Sequence, residues 1–330
     1  MAERVAVIGA AGFAGALAAR LVHRHPRYEL AAITARGDDV GVRLDALYPH
    51  HRVPLVLEEL DLDRHADVDA AIVAYPHGAS APVVAALRRA GVRVVDLSAD
   101  FRLRDPDVYA QWYGEHGAPP LFGTAVYGLP ERYRADLAGA ELVAGPGCYP
   151  TAAILALAPL AAANLLADVV IDAKSGVSGA GRAATRDTHF VTVDENVTPY
   201  KVEGHRHAPE IEQELGTAAV TFVPHLVPLD QGELVSCYVT PTEPLTPETL
   251  GALYADAYAA EQFVELADGP PGVRDVRETN LCRIHARVDQ RTGKVLVFAA
   301  IDNLWKGTSS QAIQSLNLML GRPEAEGLAA

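Results

Sequence analysis

Cysteine, methionine and tryptophan are scarce in this 330-residue chain, which has three, two and two of them respectively. Cys148, Cys237 and Cys282 fit no disulfide framework and no zinc-ligand spacing, so a small secreted scaffold is excluded and no metal is expected. Their scarcity points to a reduced, cytoplasmic setting. Positive charge is short as well: 28 Lys and Arg stand against 42 Asp and Glu, a net charge of −14. That argues against nucleic acid as a partner, because backbone phosphates demand clustered Lys and Arg. A small anionic substrate in a locally basic pocket remains compatible. No apolar targeting stretch precedes the first expected strand. The longest apolar run, Ala152 to Ile171, is interrupted by Pro159, Asn164 and Asp168. A membrane-spanning helix is therefore not expected. The run reads as a buried helix to Ala163, a short loop near Asn164 and a strand from Val169 to Ala173. Internal repeats and low-complexity linkers are also missing.

What is present suits a soluble enzyme of two domains: 49% of residues are hydrophobic and 21% charged, and the length allows two sizeable cores. Val5–Ile8 reads as a buried strand. It runs into a glycine turn, Gly9 to Gly15, and then into a helix from about Ala16 to His25. Strand, glycine turn and helix together form a dinucleotide site: the glycines permit close approach, and the helix N-terminus faces a pyrophosphate. Gly9, Ala11, Gly12, Phe13, Ala14 and Gly15 are the expected cofactor contacts. The alternative is a plain strand-to-helix turn. A second strand ends at Thr34-Ala35-Arg36 rather than at the acidic residue that binds an NAD ribose. A hydroxyl and a guanidinium suit a 2′-phosphate, which favours NADP. Asp38 and Asp39 lie just beyond.

Further strand-like runs at Ala71–Ala74, Val92–Asp96 and Leu142–Ala144 alternate with helical stretches such as Pro82 to Ala90. This pattern predicts a parallel sheet with helices on both faces, the Rossmann type, with ligands beyond the carboxyl ends of the strands. Leu97 to Arg102 falls at such an end, and Arg102 is a candidate substrate contact. Later runs at Leu234–Thr240, Cys282–Asp289 and Val295–Ile301 alternate partially, with a hairpin-like turn at Arg291-Thr292-Gly293. They predict an α+β domain with an antiparallel sheet. The expected organisation is 1–148 with 303–330 as the nucleotide domain, and 149–302 as a catalytic and dimerisation domain. The segment Thr308–Leu320 reads as a closing helix.

Chemistry concentrates in three places. Gly145 to Thr151 sets Cys148 on a glycine turn at the start of a helix, where unpaired N–H groups and the helix dipole favour a thiolate. Pro150 fits a first helical turn. A buried structural cysteine is the alternative. Ser175 to Arg182 is a glycine-serine loop ending in arginine, which offers N–H groups and a guanidinium to phosphate. Ser178 and Arg182 are expected at the substrate, Ser175 and Gly179 at the cofactor. Tyr200 to Glu210 brings His205 and His207 into one turn, able to supply an acid and base at neutral pH. His23, His25, His50 and His51 are expected at the surface.

These motifs occur together in one order, and the chain resembles the N-acetyl-gamma-glutamyl-phosphate reductase family over nearly its whole length. The matching segments are Gly9–Gly15, Leu97–Arg102, Val126–Glu131, Pro146–Thr151, His205–His207 with Pro209-Glu210, and Asp302–Gly307. The resemblance implies NADPH-dependent reduction of an acyl phosphate through a Cys148 thioester, with His207 or His205 as acid and base. It also implies a homo-oligomer, dimer or tetramer, and Asn303 beside the nicotinamide. Tyr149-Pro150 favours the arginine-pathway enzyme over its lysine-pathway relative and over other semialdehyde dehydrogenases. One position departs: the family arginine before glycine is Gln231, a candidate substrate contact without charge. A non-catalytic NADP sensor is the remaining alternative, and it leaves the retained cysteine and histidines unexplained.

Overall fold

Four consecutive apolar residues, Val5 to Ile8, lose all solvent contact as the end of β1 (Glu3–Ile8), an interior strand of a parallel sheet. In the computed structural model, which describes residues 2–217 and 219–328, the chain divides into two units. One runs to Gly147 and resumes at Thr308; the other spans Cys148 to Gly307. Cys148 and Asn303 both fall in the second.

The first unit pairs β1 with β2 (Tyr28–Ala35), β3 (Glu58–Glu59), β4 (Ala70–Val73), β5 (Arg93–Asp96), β6 (Val126–Tyr127) and β7 (Leu142–Ala144). The order is β3-β2-β1-β4-β5-β7-β6, every pair parallel. The chain leaves β1 to one side through β2 and returns to its other side with β4. This reversal opens a crevice beyond the ends of β1 and β4. The Ser80–Arg89 helix packs its buried Ala81, Val84 and Leu87 on the sheet. The Ser310–Met319 helix belongs to the same unit: Tyr28 Oη donates to Asn317 Oδ1 at 2.7 Å. Two histidines expected at the surface are buried here. His25 stacks on Tyr28 with centroids 3.8 Å apart and meets the Glu326 carbonyl at 2.9 Å. His51 sits among Tyr48 and His50, and burial pushes its pKa down to about 4.

The second unit carries the sheet β12-β13-β14-β11-β8-β10-β9, formed by β8 (Asp168–Gly176), β9 (Thr198–Pro199), β10 (Thr221–Val227), β11 (Glu233–Thr240), β12 (Val264–Leu266), β13 (Cys282–Val288) and β14 (Val295–Ile301). The three long strands expected to be antiparallel are so: β11 pairs β14, and β14 pairs β13. The sheet as a whole is mixed, since β10 joins β8 in parallel, as β12 joins β13. Parallel neighbours need a crossover, and the long excursion from β8 to β10 supplies it while carrying the two-histidine turn. The alanine-rich helix, Cys148–Ala162, packs on β11 and β14 and is almost wholly buried. It begins at Cys148, ahead of the alanine-rich stretch, with Pro150 in the first turn as expected, where its N–H is not needed. Among the described residues no helix is long and apolar enough to cross a membrane.

Candidate active site

In the first unit, the turn after β1 is shaped by three glycines for different reasons. Gly9 has φ +91°, and a Cβ there would lie 2.9 Å from both the Ala74 carbonyl oxygen and Tyr75 Cδ1. At Gly15 a Cβ would come within 2.2 Å of the Gly9 carbonyl oxygen. These two glycines serve the chain's own packing. Gly12 does not: a Cβ would meet only the Gly9 oxygen, at 3.9 Å. Gly12 caps the Phe13–Arg24 helix with no side-chain acceptor. Its lack of a side chain leaves the first N–H groups of that helix approachable, the geometry a pyrophosphate requires. The Ala11 and Ala14 carbonyls are held from behind by Tyr48 Oη and Ser309 Oγ, both at 2.8 Å.

Thr34 and Arg36 separate in role. Thr34 is fully buried, and its hydroxyl accepts from Gly9 N–H at 3.3 Å. It braces the turn from inside the sheet and has no path to a 2′-phosphate. Arg36 is exposed, with its guanidinium 3.9 Å from the centroid of the Tyr75 ring. Tyr75 follows β4, so this cation–π pair lies at the crevice. Arg102 also differs from its expected place at the substrate. It is buried, with Nε donating to the Gly145 carbonyl at 2.7 Å and Nη2 to the Leu97 carbonyl at 2.8 Å. Those bonds hold the strand-end segment that leads to the cysteine.

In the second unit, Cys148 is the first residue of its helix and partly exposed, whereas Cys237 and Cys282 are buried. The sulfur-bearing residue thus stands at the positive end of a 15-residue helix that has no acidic side chain in its first turn. Gly307 closes on it: a Cβ there would lie 2.8 Å from Cys148 Cβ and 3.3 Å from its Cα. Tyr149 turns inward, donating to the His225 carbonyl at 3.2 Å and meeting Tyr200 Oη at 3.4 Å.

The two histidines sit around Tyr149, with ring centroids 5.7 Å (His205) and 5.9 Å (His207) from its own. His205 is enclosed by Tyr149, Tyr200 and Phe222. Burial pushes its pKa down to about 2, helped by the neighbouring His207. Its Nδ1 accepts from His207 N–H at 3.2 Å, which leaves Nε2 to carry the proton. A ring that stays neutral across the working pH range and is fixed in one tautomer is a structural support. His207 is half-buried at the entry of the Ala208–Leu215 helix.

The glycine-serine loop is folded against 229–232. Ser178 sends both its N–H (3.3 Å) and its hydroxyl (2.6 Å) to the Asp230 carbonyl. Asn303 Nδ2 donates to Ser178 Oγ at 3.0 Å, and Asn303 Oδ1 accepts from Gly232 N–H at 2.8 Å. Ser178 and Asn303, expected at substrate and cofactor, therefore tie three chain segments together with these groups. Ser175 is buried at the end of β8, while Gly179 and Arg182 are exposed. Gln231 is half-buried and donates to Asp230 Oδ2 at 3.3 Å; its carbonyl oxygen is buried with no hydrogen-bond partner.

Sequence reasoning missed Glu233, which is fully buried beside this cluster. Burial pushes its carboxyl pKa up to about 8, opposed by the Cys148 thiol and the Ser175 hydroxyl. The available signal was an acid at the head of a strand rich in apolar residues. Tyr75 and Gly307 were also missed as site residues, because ring stacking and van der Waals closeness leave no sequence pattern.

Comparison with known proteins identifies two family segments. Residues 4–140 match the semialdehyde dehydrogenase NAD binding domain, and residues 148–303 the semialdehyde dehydrogenase dimerisation domain. An N-acetyl-gamma-glutamyl-phosphate reductase from Dehalococcoides mccartyi is 45% identical over 99% of this chain and 97% of its own length. Proteins of the same name from Desulforudis audaxviator (47% identity; 98% and 97% covered) and Pelotomaculum thermopropionicum (46%; 100% and 98%) match similarly. The fold is shared with aspartate semialdehyde dehydrogenase II of Vibrio cholerae in complex with ASA (TM-score 0.73, 18% identity, 97% of this chain and 99% of that one). It is shared also with the Candida albicans aspartate semialdehyde dehydrogenase bound to NADP (TM-score 0.65, 15% identity, 97% and 99%).

Proposed function

Because the chain belongs to the semialdehyde dehydrogenase family, we propose that it reduces N-acetyl-gamma-glutamyl phosphate to N-acetylglutamate semialdehyde and phosphate with NADPH. The observation that carries this reading is the partly exposed Cys148 at the head of a buried helix, in a chain whose relatives at 45–47% identity are N-acetyl-gamma-glutamyl-phosphate reductases throughout their length.

The Cys148 sulfur attacks the acyl carbon; the S–C bond forms as the C–O bond to phosphate breaks, leaving a thioester. The helix-start N–H groups stabilise the oxyanion formed there. NADPH, when bound, supplies the hydride. Gly12 and the N–H groups of Phe13 and Ala14 would hold its pyrophosphate, and Arg36 its 2′-phosphate. Collapse of the reduced centre breaks the C–S bond and frees the aldehyde. His207 gives and takes protons during this cycle, while neutral His205 fixes the turn that carries it. Arg182, with the Gly179 segment, faces solvent and is the remaining cationic candidate for the substrate phosphate. Gln231 offers uncharged donors to the substrate carboxylate.

The decisive assay is phosphate-dependent oxidation of N-acetylglutamate semialdehyde with NADP. Turnover that needs both phosphate and Cys148 supports the reading; activity confined to aspartate semialdehyde or to an aminoadipyl substrate overturns it. With three free thiols, the cytoplasm is the fitting compartment. The family's dimerisation segment and the exposed Phe190 and Val191 (73% and 77% exposed) favour a homo-oligomer. Phe190→Glu with Val191→Glu should lower the mass measured by light scattering.

A further inference from the structure

Glu233 opens β11 in register with Ser175 at the end of β8 and Ile301 at the end of β14. Its side chain has no solvent contact, and neither carboxyl oxygen completes a hydrogen bond. A carboxyl in that state is costly, whereas an apolar residue at the same strand end would carry no such penalty. The groups facing it are specific. Nearest are the Cys148 thiol at the helix start, the Ser175 hydroxyl of β8 and Asp302 after β14, and the Tyr149 and Tyr200 hydroxyls lie within electrostatic reach. The Cys148 thiol and the Ser175 hydroxyl are the neighbours that favour its ionised form, and Asp302 is the acid that opposes it. The reactive sulfur thus has a dry, unsatisfied carboxyl beside it.

We propose that Glu233 carries the proton of the Cys148 sulfur through the catalytic cycle, taking it as the sulfur is acylated and returning it as the sulfur is released. This rests on the thioester reading above. In the first step the S–H bond breaks, its electron pair stays on sulfur to form the S–C bond, and an O–H bond forms on Glu233. His207 supplies the proton that the departing phosphate oxygen takes. In the last step the C–S electron pair returns to sulfur, and the Glu233 O–H proton moves back to it; His207 is recharged from solvent. One proton is consumed per turnover, as the overall reduction requires.

Energetics support the assignment. Burial pushes the Glu233 carboxyl pKa up to about 8, far above the ordinary carboxylate range of about 4. A carboxyl with that raised affinity can hold a proton near neutral pH and hand it back when the sulfur is released. An exposed carboxylate with an ordinary pKa would not return a proton so readily.

The test follows the iodoacetamide alkylation rate of Cys148 against pH in the full-length enzyme, which needs neither substrate nor NADPH. The wild type should show two steps, because the Cys148–Glu233 pair titrates as a coupled unit. The isosteric Glu233→Gln should show one. In the phosphate-dependent assay the same variant should lose about 10–100-fold in kcat, with KM for both substrate and NADP within twofold; Glu233→Asp should recover part of the loss. If Glu233→Gln does not fold, infrared difference spectra of the wild type, before and after alkylation of Cys148, should show a carboxylic acid whose protonation changes with the sulfur. A single alkylation step in both proteins, an unchanged kcat, or a carboxyl band indifferent to alkylation overturns the proposal. A wild type that alkylates in two steps yet oxidises no N-acetylglutamate semialdehyde would refute the substrate assignment and leave the pair standing.

Discussion

Adding one methyl group opposite the nucleophile tests how tightly this fold fixes its sulfur. In Gly307→Ala, the new Cβ would lie 2.8 Å from Cys148 Cβ, whereas ordinary contact begins at 3.4 Å. The two atoms must separate by about 0.6 Å, and neither can yield by a rotamer change, since both are Cβ atoms fixed to backbone. The Cys148 Cα at 3.3 Å and the Asp302 carbonyl oxygen at 3.3 Å block the other directions. Overpacking of this kind costs about 1–3 kcal/mol. A displacement near 1 Å at a reacting centre costs on the order of 10²-fold in rate, so a shift of about 0.6 Å should lower kcat roughly 10–100-fold. NADP affinity should stay within twofold. Gly251→Ala is the control: it lies within the Pro247–Tyr258 helix with nothing inside 4 Å of its added Cβ. It should keep full turnover and gain roughly 0.5–1 kcal/mol in stability. The assays are steady-state turnover in the phosphate-dependent direction, the alkylation rate of Cys148, and denaturant unfolding. Wild-type turnover and unchanged stability in Gly307→Ala would refute the argument that this packing sets the sulfur position.

Arg36→Ala should weaken NADPH by roughly 1.5–3 kcal/mol, the worth of a hydrogen bond to a charged group, and NADH far less; equal losses in fluorescence titrations would remove Arg36 from the 2′-phosphate. His207→Asn should lower turnover about 10²–10⁴-fold with NADP affinity intact, and a normal pH–rate profile in that variant would move the acid-base role elsewhere. Asp96 is fully buried and burial raises its pKa to about 6, above the unfolded value of about 3.9. The native state therefore binds the extra proton, so the stability it contributes is present below about pH 4 and is lost as pH rises towards 6. Denaturant unfolding at about pH 4.5 and 7 should show the wild type losing stability relative to Asp96→Asn over that interval, and parallel pH curves would sink the assignment.

The sequence by itself determined the parts whose causes are local. Val5–Ile8 followed by Gly9 to Gly15 dictates strand, turn and helix, because apolar length, glycine freedom and helix-start electrostatics act over neighbouring residues. Cys148 was legible as a helix-start cysteine for the same reason, with Pro150 tolerated in the first turn. The long strands β11, β13 and β14 were legible from partial alternation. Tertiary structure decided what depends on residues distant in the chain. The parallel pairing of β10 with β8 required the crossover that follows β8. Thr34, Ser178, Asn303 and Arg102 carry polar groups that suit a ligand, yet folding turns them onto Gly9, Asp230, Gly232, Gly145 and Leu97. His205 and His207 look equivalent in sequence; burial among the Tyr149, Tyr200 and Phe222 rings, with His207 beside it, holds His205 neutral. Glu233 gains its raised proton affinity the same way. Desolvation is a property of the packed interior, set by side chains from several elements at once, and no run of neighbouring residues encodes it.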